Sequence, residues 1–289
     1  REVAPREVGS LFAGGVARYL RLTATDIQLM IACGAGAGLA AVYNVPLAGA
    51  VFTLEVLLVS FSWDAAIAAV VTSALAAWIA TLGLGDEHQY RFTTELASTS
   101  LVFWGALSGP IMGAAAFLFR RLTQRARSKV RSNWQMPVFS LVAFAALGAL
   151  SMWFPQLPGN GKGPTQLTLD GSVTLQLALA IVCIKIFVIW AVLRGGAEGG
   201  LLTPGLTIGA LLGSLLFIVL GRLFPGSDMA GFALTGAAGF LSASMQMPVT
   251  AITLMMEFTR MDHSFLVPLA LCVTGAYMTS RQLERWQKG

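Results

Sequence analysis

Four prolines mark the places in this sequence where an ion could be handled. Pro5, Pro46, Pro204 and Pro248 each stand near the beginning of an apolar stretch. Proline is favoured in the first turn of a helix because its missing N–H group would have no partner there. The other N–H groups of a helix start have no partner within the helix, and that end carries about half an elementary positive charge. Several such helix ends around one point would bind an anion without the need for a positively charged side chain.

Physical chemistry makes this kind of site suitable for transport. An isolated ion in a low-dielectric interior costs on the order of tens of kcal/mol, and several N–H donors can replace the water that the ion loses. A buried lysine or arginine could hold an anion too tightly to release it, whereas conduction requires a site that the ion can both enter and leave. The pattern therefore favours helix ends as the ion-binding groups.

The elements that must position these helix ends occur twice. One copy runs from Gly34 to Glu55 and the other from Gly236 to Glu257, with glycine, proline and glutamate at matching positions and no gap. Each copy is an apolar stretch with a proline in its middle. Apolar repeats with interrupted helices are typical of a transporter-type membrane fold, whose site lies where the broken ends meet.

The composition of the chain indicates a membrane protein. Hydrophobic residues make up 56% of its 289 residues and charged residues 11%, where a soluble domain has about 25%. No soluble domain is visible, and the stretch 155–172, rich in glycine and proline, is predicted as a loop. Basic residues cluster in 120–131 and near the C-terminus, which predicts a cytoplasmic position for both. In a chain this apolar, the cluster does not indicate binding of nucleic acid.

Three parts of the sequence together resemble the CLC chloride channels and proton-coupled antiporters. They are the run Gly34–Glu55, the segment Gly199–Pro204 with two glycines ahead of a proline, and the second broken copy Gly236–Glu257. The resemblance covers essentially the whole chain. It implies an all-α polytopic membrane protein in which two inverted repeats contribute broken and re-entrant helices. It also implies a homodimer in which each subunit has its own anion pathway through the lipid bilayer.

The resemblance further implies how the chain is organised. Residues 1–289 would form one transmembrane domain, with 1–121 as the remainder of the first repeat, 122–134 as a cytoplasmic basic loop and 135–289 as most of the second repeat. We expect a fragment that lacks the N-terminal helices and the last helix of the family, because the serine and tyrosine ligands of the central anion site have no counterpart. The predicted location is the plasma (inner) membrane of a bacterium.

In this family a G-[KR]-E-G-P segment supplies a gating glutamate at the outer anion site. The chain begins R-E-V-A-P, and an alignment without a gap up to Gly9 places Glu2 in the glutamate position. Val3 and Ala4 then replace the glycine and the proline of the family motif. If Pro5 is matched to the family proline instead, Val3 falls in the gating position. We favour Glu2, because the Arg-Glu pair and Gly9 then both fit.

The same resemblance implies which groups contact the anion. They are backbone N–H groups of Val3, next to Glu2, and of Gly200, Leu201 and Leu202. The Glu2 carboxylate would occupy the anion site as a tethered competitor, and protonation would remove its charge and free it to swing away. Anion and proton would then alternate at one place. A solvated glutamate without this role is the alternative.

The sequence therefore predicts chloride transport, through a voltage- or pH-gated channel or by chloride/proton exchange. Antiporters of the family carry a second glutamate directly after the conserved helix glutamate, and here Val56 follows Glu55, which leaves channel and exchanger both open. A fluoride-selective transporter is the alternative within the family, because the segment that would discriminate halides is missing. Glu7 is a lesser candidate for the gate and is interpreted as a first-turn residue favoured by the helix dipole.

Other kinds of chemistry find less support in the sequence. An intramembrane serine enzyme built on Ser242 or Ser244 would need a histidine base at membrane depth, and the sequence offers none, so we expect no enzyme. A cation transporter would use Glu55 and Glu257, which are interpreted instead as structural groups that cap or bridge helix ends. Lys185, in the middle of an apolar stretch, is a functional candidate, with snorkelling or a structural pair equally open. No metal or cofactor is expected, since no Cys-x-x-Cys pair or histidine cluster is present.

Overall fold

The computed structural model of the chain describes residues 3–94, 96–130, 134–197 and 199–288. Helices make up most of this part of the chain, and no strand occurs in it. A π-helical segment continues α3, and short 3₁₀ turns follow α9 and precede α12. The helices, numbered in chain order, are α1 (Val3–Tyr19), α2 (Ala24–Tyr43), α3 (Pro46–Phe52), α4 (Trp63–Leu84), α5 (Thr99–Ser128), α6 (Gln135–Trp153), α7 (Lys162–Leu169), α8 (Leu175–Arg194), α9 (Leu202–Leu220), α10 (Met229–Met245), α11 (Pro248–Thr259) and α12 (Leu266–Lys288).

Six of the described helices, namely α2, α4, α5, α6, α8 and α9, are long and apolar enough to cross a membrane. Their outer faces carry large hydrophobic side chains, such as Trp78 of α4 and Leu141 of α6, which are 62% and 71% exposed on the chain alone. Hydrocarbon is the solvent that such faces require, and a helix satisfies its own backbone groups there. The predicted all-α polytopic membrane architecture is therefore confirmed.

The chain folds as two compact units, and the first contains a short segment from far away in the sequence. The first unit combines Arg1–Tyr90 with Val249–Met261, and the second combines Arg91–Pro248 with Asp262–Gly289. Helix α11 begins at Pro248 and otherwise belongs to the first unit. The second sequence copy is therefore divided between the two units at its own proline.

In the first unit, α1 packs closely against α2 because glycines leave no side chains between them. A Cβ atom added at Gly9 would collide with the carbonyl group of Gly34, and one added at Gly34 would lie 2.7 Å from the Cβ atom of Ala13. Helix α2 also packs against α4, where Cys33 belongs to a small buried cluster with Ala69 of α4 and Ala50 of α3. Small residues in this region therefore serve close packing of helices.

Both sequence copies interrupt their helices in the same way. Asn44 closes α2 and Gln246 closes α10, and both residues adopt a left-handed backbone with φ of 55° and 58°. The residue after each donates its N–H group to a carbonyl five residues earlier, at 3.1 Å in both copies, which is a Schellman-type closure. Pro46 and Pro248 then begin α3 and α11. The two interrupted helices predicted from the repeat are therefore present.

In the second unit, a stripe of glycines lets α5 lie directly along α12. A Cβ atom added at Gly109 would lie 2.9 Å from the carbonyl oxygen of Cys272, and Gly105 and Gly113 meet the α12 backbone in the same way. These contacts advance in the same direction along both helices, so α5 and α12 are parallel. The spacing of four residues keeps the three glycines on one face of α5.

Helices α9 and α10 cross through a second glycine contact in the same unit. A Cβ atom added at Gly209 would lie 2.5 Å from the carbonyl oxygen of Gly236, and one added at Gly236 would lie 2.6 Å from that of Gly209. Gly213 meets the backbone of Phe232, whose ring stacks on Trp104 with centroids 4.0 Å apart. The prediction that Gly209 and Gly213 serve close helix packing is confirmed.

Two segments differ from the sequence prediction. The stretch 155–172, predicted as a loop, contains α7, whose first turn includes Pro164. The basic loop predicted at 122–134 is helical as far as Ser128, because α5 continues into it. Arginines in the last turn of α5 interact favourably with the negative end of the helix dipole, which stabilises this extension.

Candidate functional site

The prolines that the sequence analysis singles out lie at helix starts. Pro46 and Pro248 are the first residues of α3 and α11, and Pro5 and Pro204 lie in the first turns of α1 and α9. Each occupies a position where the helix does not need its N–H group. The prediction of four proline-marked helix starts is therefore confirmed.

The predicted gate falls at the beginning of the first unit. Glu2 lies outside the described residues, and Val3 is the first residue of α1. Val3 lines an open cleft of about 480 Å³ together with Arg6, Glu7 and Ser10. This cleft combines a basic, an acidic and a hydroxyl side chain with apolar walls that include Leu11 and Leu57.

The start of α9 in the second unit is a fixed backbone turn. Leu201 is its N-cap residue, whose apolar side chain supplies no capping acceptor, and the buried Leu202 is its first helical residue. The Leu201 carbonyl accepts the N–H group of Gly205 at 2.9 Å. Just before the turn, the Gly199 carbonyl accepts a hydrogen bond from the guanidinium group of Arg127 at 3.0 Å. The turn is therefore fixed both by its own helix and by the end of α5.

Leu201 lines two cavities of different character. The basic cavity, about 340 Å³ in volume, is lined by polar and charged side chains that include Arg120 and Arg127. The Lys185 cavity, about 160 Å³ in volume, has mostly apolar walls, and Lys185 and Gly200 also line it. The N-cap residue of α9 therefore borders both a cavity with two arginines in its lining and a mostly apolar cavity.

The basic residues at the end of α5 give one side of the second unit a positive potential. Arg120 forms an ion pair with Glu284 near the end of α12, and the guanidinium group of Arg121 lies 5.6 Å from the centre of the Phe117 ring. Because α5 and α12 are parallel, their C-terminal ends lie on the same side of this unit. A cluster of like charges at an opening raises the local concentration of ions of the opposite sign.

Glu55 and Glu257 occupy corresponding positions in the two copies, and each caps the helix that begins in the other copy. The Glu55 carboxylate accepts two N–H groups from the first turn of α11, at 2.9 and 2.7 Å, and the Thr250 hydroxyl at 2.6 Å. The Glu257 carboxylate accepts the equivalent groups of α3, from Leu47 at 2.9 Å and from Ala48 at 2.7 Å. The structural interpretation of both residues is confirmed. Carboxylates held by helix-terminal donors are anchors, which disfavours the cation-transport alternative.

The two serines considered for an enzyme donate to backbone carbonyls, chiefly within their own helix, and Ser242 also donates to the Val273 carbonyl of α12 at 3.4 Å. The Ser242 hydroxyl donates to the carbonyl of Gly239 at 2.8 Å, and that of Ser244 to the carbonyl of Leu241 at 3.3 Å. Such bonds are ordinary for a hydroxyl in an apolar helix. They give these serines a structural role and supply no activated nucleophile.

The predicted anion contacts belong to both units. Val3 lies in the first unit, and Gly200, Leu201 and Leu202 lie in the second. The latter three are consecutive at the start of α9, with Leu201 as the N-cap and Leu202 as the first helical residue. Their shared contact with an anion, and the part that Glu2 takes in it, stay predictions.

Sequence reasoning missed the surroundings of Lys185. Its side chain is only 4% exposed, and its ammonium group donates to the carbonyls of Leu157 and Gly159, both at 3.3 Å. The snorkelling alternative is therefore wrong, because the charge points to protein backbone and not to water. A lysine within an apolar stretch indicates a buried charge. Its carbonyl partners in the 155–172 stretch are visible only in the folded structure.

Comparison with known proteins identifies the family. The sequence profile described as Voltage gated chloride channel matches residues 1–281. The chain is 30% identical over 269 residues to the voltage-gated ClC-type chloride channel ClcB of Shigella flexneri, and the match covers 89% of this chain and 63% of that protein. It is also 30% identical over 264 residues to the H(+)/Cl(-) exchange transporter ClcA of Cronobacter sakazakii, covering 88% and 56%. The chain therefore spans less than two thirds of the length of these relatives.

Solved structures agree with the predicted fold. A slow cyanobacterial Cl⁻/H⁺ antiporter matches with a TM-score of 0.87 at 20% identity, over 96% of this chain and 67% of that one. A CLC-type fluoride/proton antiporter matches with a TM-score of 0.79 at 22% identity, over 98% and 70%. The predicted CLC-type fold is confirmed, and bacterial relatives together with six apolar helices fit the inner membrane. The chain belongs to the voltage gated chloride channel (CLC) family and is an integral multi-pass membrane protein.

Proposed function

We propose that this chain contributes the greater part of a chloride pathway in which Glu2 is the gating and proton-transfer group. The observation that carries the proposal is the start of α9, where Gly200 precedes the N-cap Leu201, Leu202 begins the helix, and Leu201 lines the basic cavity. A helix N-terminus favours negative charge, and the arginines nearby raise the local concentration of anions. The chloride channel and the chloride exchanger among the relatives support chloride as the ion.

Channel and exchanger activity are both candidates within this proposal. The two named activities occur among relatives of the same 30% identity. Val56, at the position where family antiporters carry their inner glutamate, lies in the π-helical segment that continues α3. An apolar side chain cannot relay a proton, which favours uncoupled flux or a different proton route. The fluoride/proton antiporter resembles this chain at 22% identity, so it supports the fold and not the substrate.

Simultaneous recording of chloride efflux and pH tests the proposal, with the full-length protein in liposomes. Chloride efflux without proton movement would identify a channel, and a fixed ratio of the two would identify an exchanger. Absence of chloride flux would contradict the proposed function.

The family resemblance is also the basis for a second proposal, that the protein is a homodimer. Light scattering of the purified protein in detergent measures its mass and tests this proposal.

Glu2→Gln should abolish proton movement, or in a channel the pH dependence of opening, while anion flux persists. The amide keeps the shape of the side chain but can neither ionise nor carry a proton. Proton flux is expected to fall to the background of empty liposomes. Glu7→Gln, which changes the exposed carboxylate in the same first turns of α1, is the matched control and should keep the wild-type ratio. A Glu2→Gln variant that still moves protons against a gradient would exclude Glu2 as the gate.

A further inference from the structure

A polar cleft lies between the C-terminal ends of α5 and α12 in the second unit, and we call it the α5–α12 cleft. Its volume is about 390 Å³, within the range of about 300–1,000 Å³ that is usual for small-ligand sites. Its polar lining residues are Arg120, Arg121, Gln124 and Arg125 of α5 and Glu284 and Gln287 of α12. Both helices therefore contribute hydrogen-bonding groups to one opening.

The α5–α12 cleft carries more positive than negative charge. Arg120 forms an ion pair with Glu284, which neutralises one of the three arginines. In the described residues, no ion pair involves Arg121 or Arg125. The Arg121 guanidinium group lies 5.6 Å from the centre of the Phe117 ring, a contact that orients it without neutralising it. Two arginine charges therefore remain for an anionic ligand.

Both helices change from apolar to basic at the level of this cleft. In α5, Leu118 is 64% exposed and Arg121 follows three residues later, and in α12 Met278 is 65% exposed and Arg281 follows at the same spacing. Residues three apart lie on one face of a helix. Trp286 is 72% exposed, and tryptophan is enriched where hydrocarbon meets water. The cleft therefore lies at the level of the lipid headgroups.

We propose that the α5–α12 cleft binds the headgroup of an anionic phospholipid with two phosphodiester groups, of the cardiolipin type. Arg121 and Arg125 would bind the phosphates, because the planar guanidinium fork matches two phosphate oxygens at once, and Gln287 supplies a neutral donor. The two arginine charges outweigh the partial negative charges at the two helix ends. Basic pockets between transmembrane helices are suited to such headgroups.

The apolar surface next to the cleft favours a lipid over a soluble phosphate. Acyl chains that continue from a headgroup in the cleft would cover the exposed Leu118 and Met278. A free phosphate ion would contact the polar groups only. Burial of apolar surface therefore adds affinity that the lipid alone gains.

Native mass spectrometry of the purified full-length protein in detergent, titrated with cardiolipin, tests the site. Saturable binding is expected, with weaker binding of phosphatidylglycerol, which has one phosphodiester, and of zwitterionic phosphatidylethanolamine. Arg121→Gln and Arg125→Gln should each weaken cardiolipin about fivefold, the effect expected for one basic residue near anionic lipid. Arg222→Gln is the matched control and should leave binding unchanged. This exposed arginine lies two residues before Phe224, whose ring contacts Trp104 near the start of α5.

Glu284→Gln separates lipid binding from a purely structural role of the cleft. It removes the carboxylate that repels phosphate and releases Arg120, so cardiolipin should bind several-fold more tightly, whereas a damaged cleft would bind it less. Inorganic phosphate in large excess should not displace the lipid. Displacement by phosphate would identify a site for soluble phosphate and overturn the proposal. So would weaker binding by Glu284→Gln, unchanged binding by Arg121→Gln and Arg125→Gln, or equal binding of cardiolipin and either other lipid.

Discussion

Two glutamates show how single side chains hold an interrupted helix in a membrane protein. A helix that begins inside the fold has N–H groups without partners, and each of them is costly away from water. Glu55 provides acceptors for the start of α11, and Glu257 does so for the start of α3. A charged acceptor at a helix N-terminus also interacts favourably with the dipole. The same residue type therefore stands at the same place in both sequence copies.

Removing either carboxylate should destabilise the protein. Glu55→Ala and Glu257→Ala are each expected to lower the free energy of unfolding by about 2 kcal/mol, because two helix-terminal donors lose their acceptor. Denaturant titration of the purified protein in detergent measures this loss. Glu7→Ala, at an exposed position of α1, is the control and should change stability little. Equal stability of all three variants would contradict the capping role.

Helix pairs in the second unit depend on the absence of side chains at their crossings. Gly209 and Gly236 bring the backbones of α9 and α10 into contact, and such close approach is a general way of packing helices in membranes. Leu202, at the start of α9, is fully buried in the same unit. The crossing with α10 therefore helps to determine where the turn before α9 lies.

Gly209→Ala should destabilise this crossing, since the added methyl group would lie 2.5 Å from the carbonyl oxygen of Gly236 and force the helices apart. Overpacking of this kind costs about 1–3 kcal/mol. Gly148→Ala in α6 is the matched control, because nothing lies within 4 Å of the added atom. The control should be stabilising by up to about 1 kcal/mol through helix propensity. Thermal unfolding in detergent measures both, and two variants that shift the midpoint alike would contradict the packing argument.

The first unit as a whole is held together by contacts between distant parts of the sequence. The first unit contains Val249–Met261 although the rest of it ends at Tyr90. Outside the membrane-spanning segments, Asp86 accepts a hydrogen bond from Asn44 at 2.7 Å and forms an ion pair with Arg260. The hydrogen bond from Arg260, with a further one from Asn44, lowers the pKa of Asp86 below its usual value. This carboxylate joins the end of α2, the loop after α4 and the residue after α11.

The Asp86 contacts should therefore make stability depend on pH. Because the pKa is lower in the folded state, the stabilising contribution is complete above the unfolded pKa, about 3.9, and is lost as the pH falls through the folded value. Asp86→Asn should lower the midpoint of thermal unfolding at pH 7, and the difference from wild type should shrink towards pH 3. Glu87→Gln, which alters the exposed neighbour, should show no such trend. A difference that is constant with pH would contradict the role of this carboxylate.

What the sequence determined by itself is local in origin. The hydrophobic content of the chain indicated that it lies in a membrane. The prolines indicated where helices begin, because the effects of the proline ring and of the missing N–H group are confined to the residue itself. The repeated spacing from Gly34 to Pro46 and from Gly236 to Pro248 predicted two interrupted helices of the same design. These properties need no distant partner, and they were sufficient for the fold class and the family resemblance.

The tertiary structure decided which distant groups meet. Capping of α11 by Glu55 joins residues that are 194 and 195 positions apart, and no local pattern identifies such a partner. The same holds for Lys185, whose burial follows from helical placement but whose carbonyl partners come from a stretch that reads as a loop. Contacts of this kind form only when the chain is folded, because packing and the need to satisfy buried polar groups act across the whole structure at once.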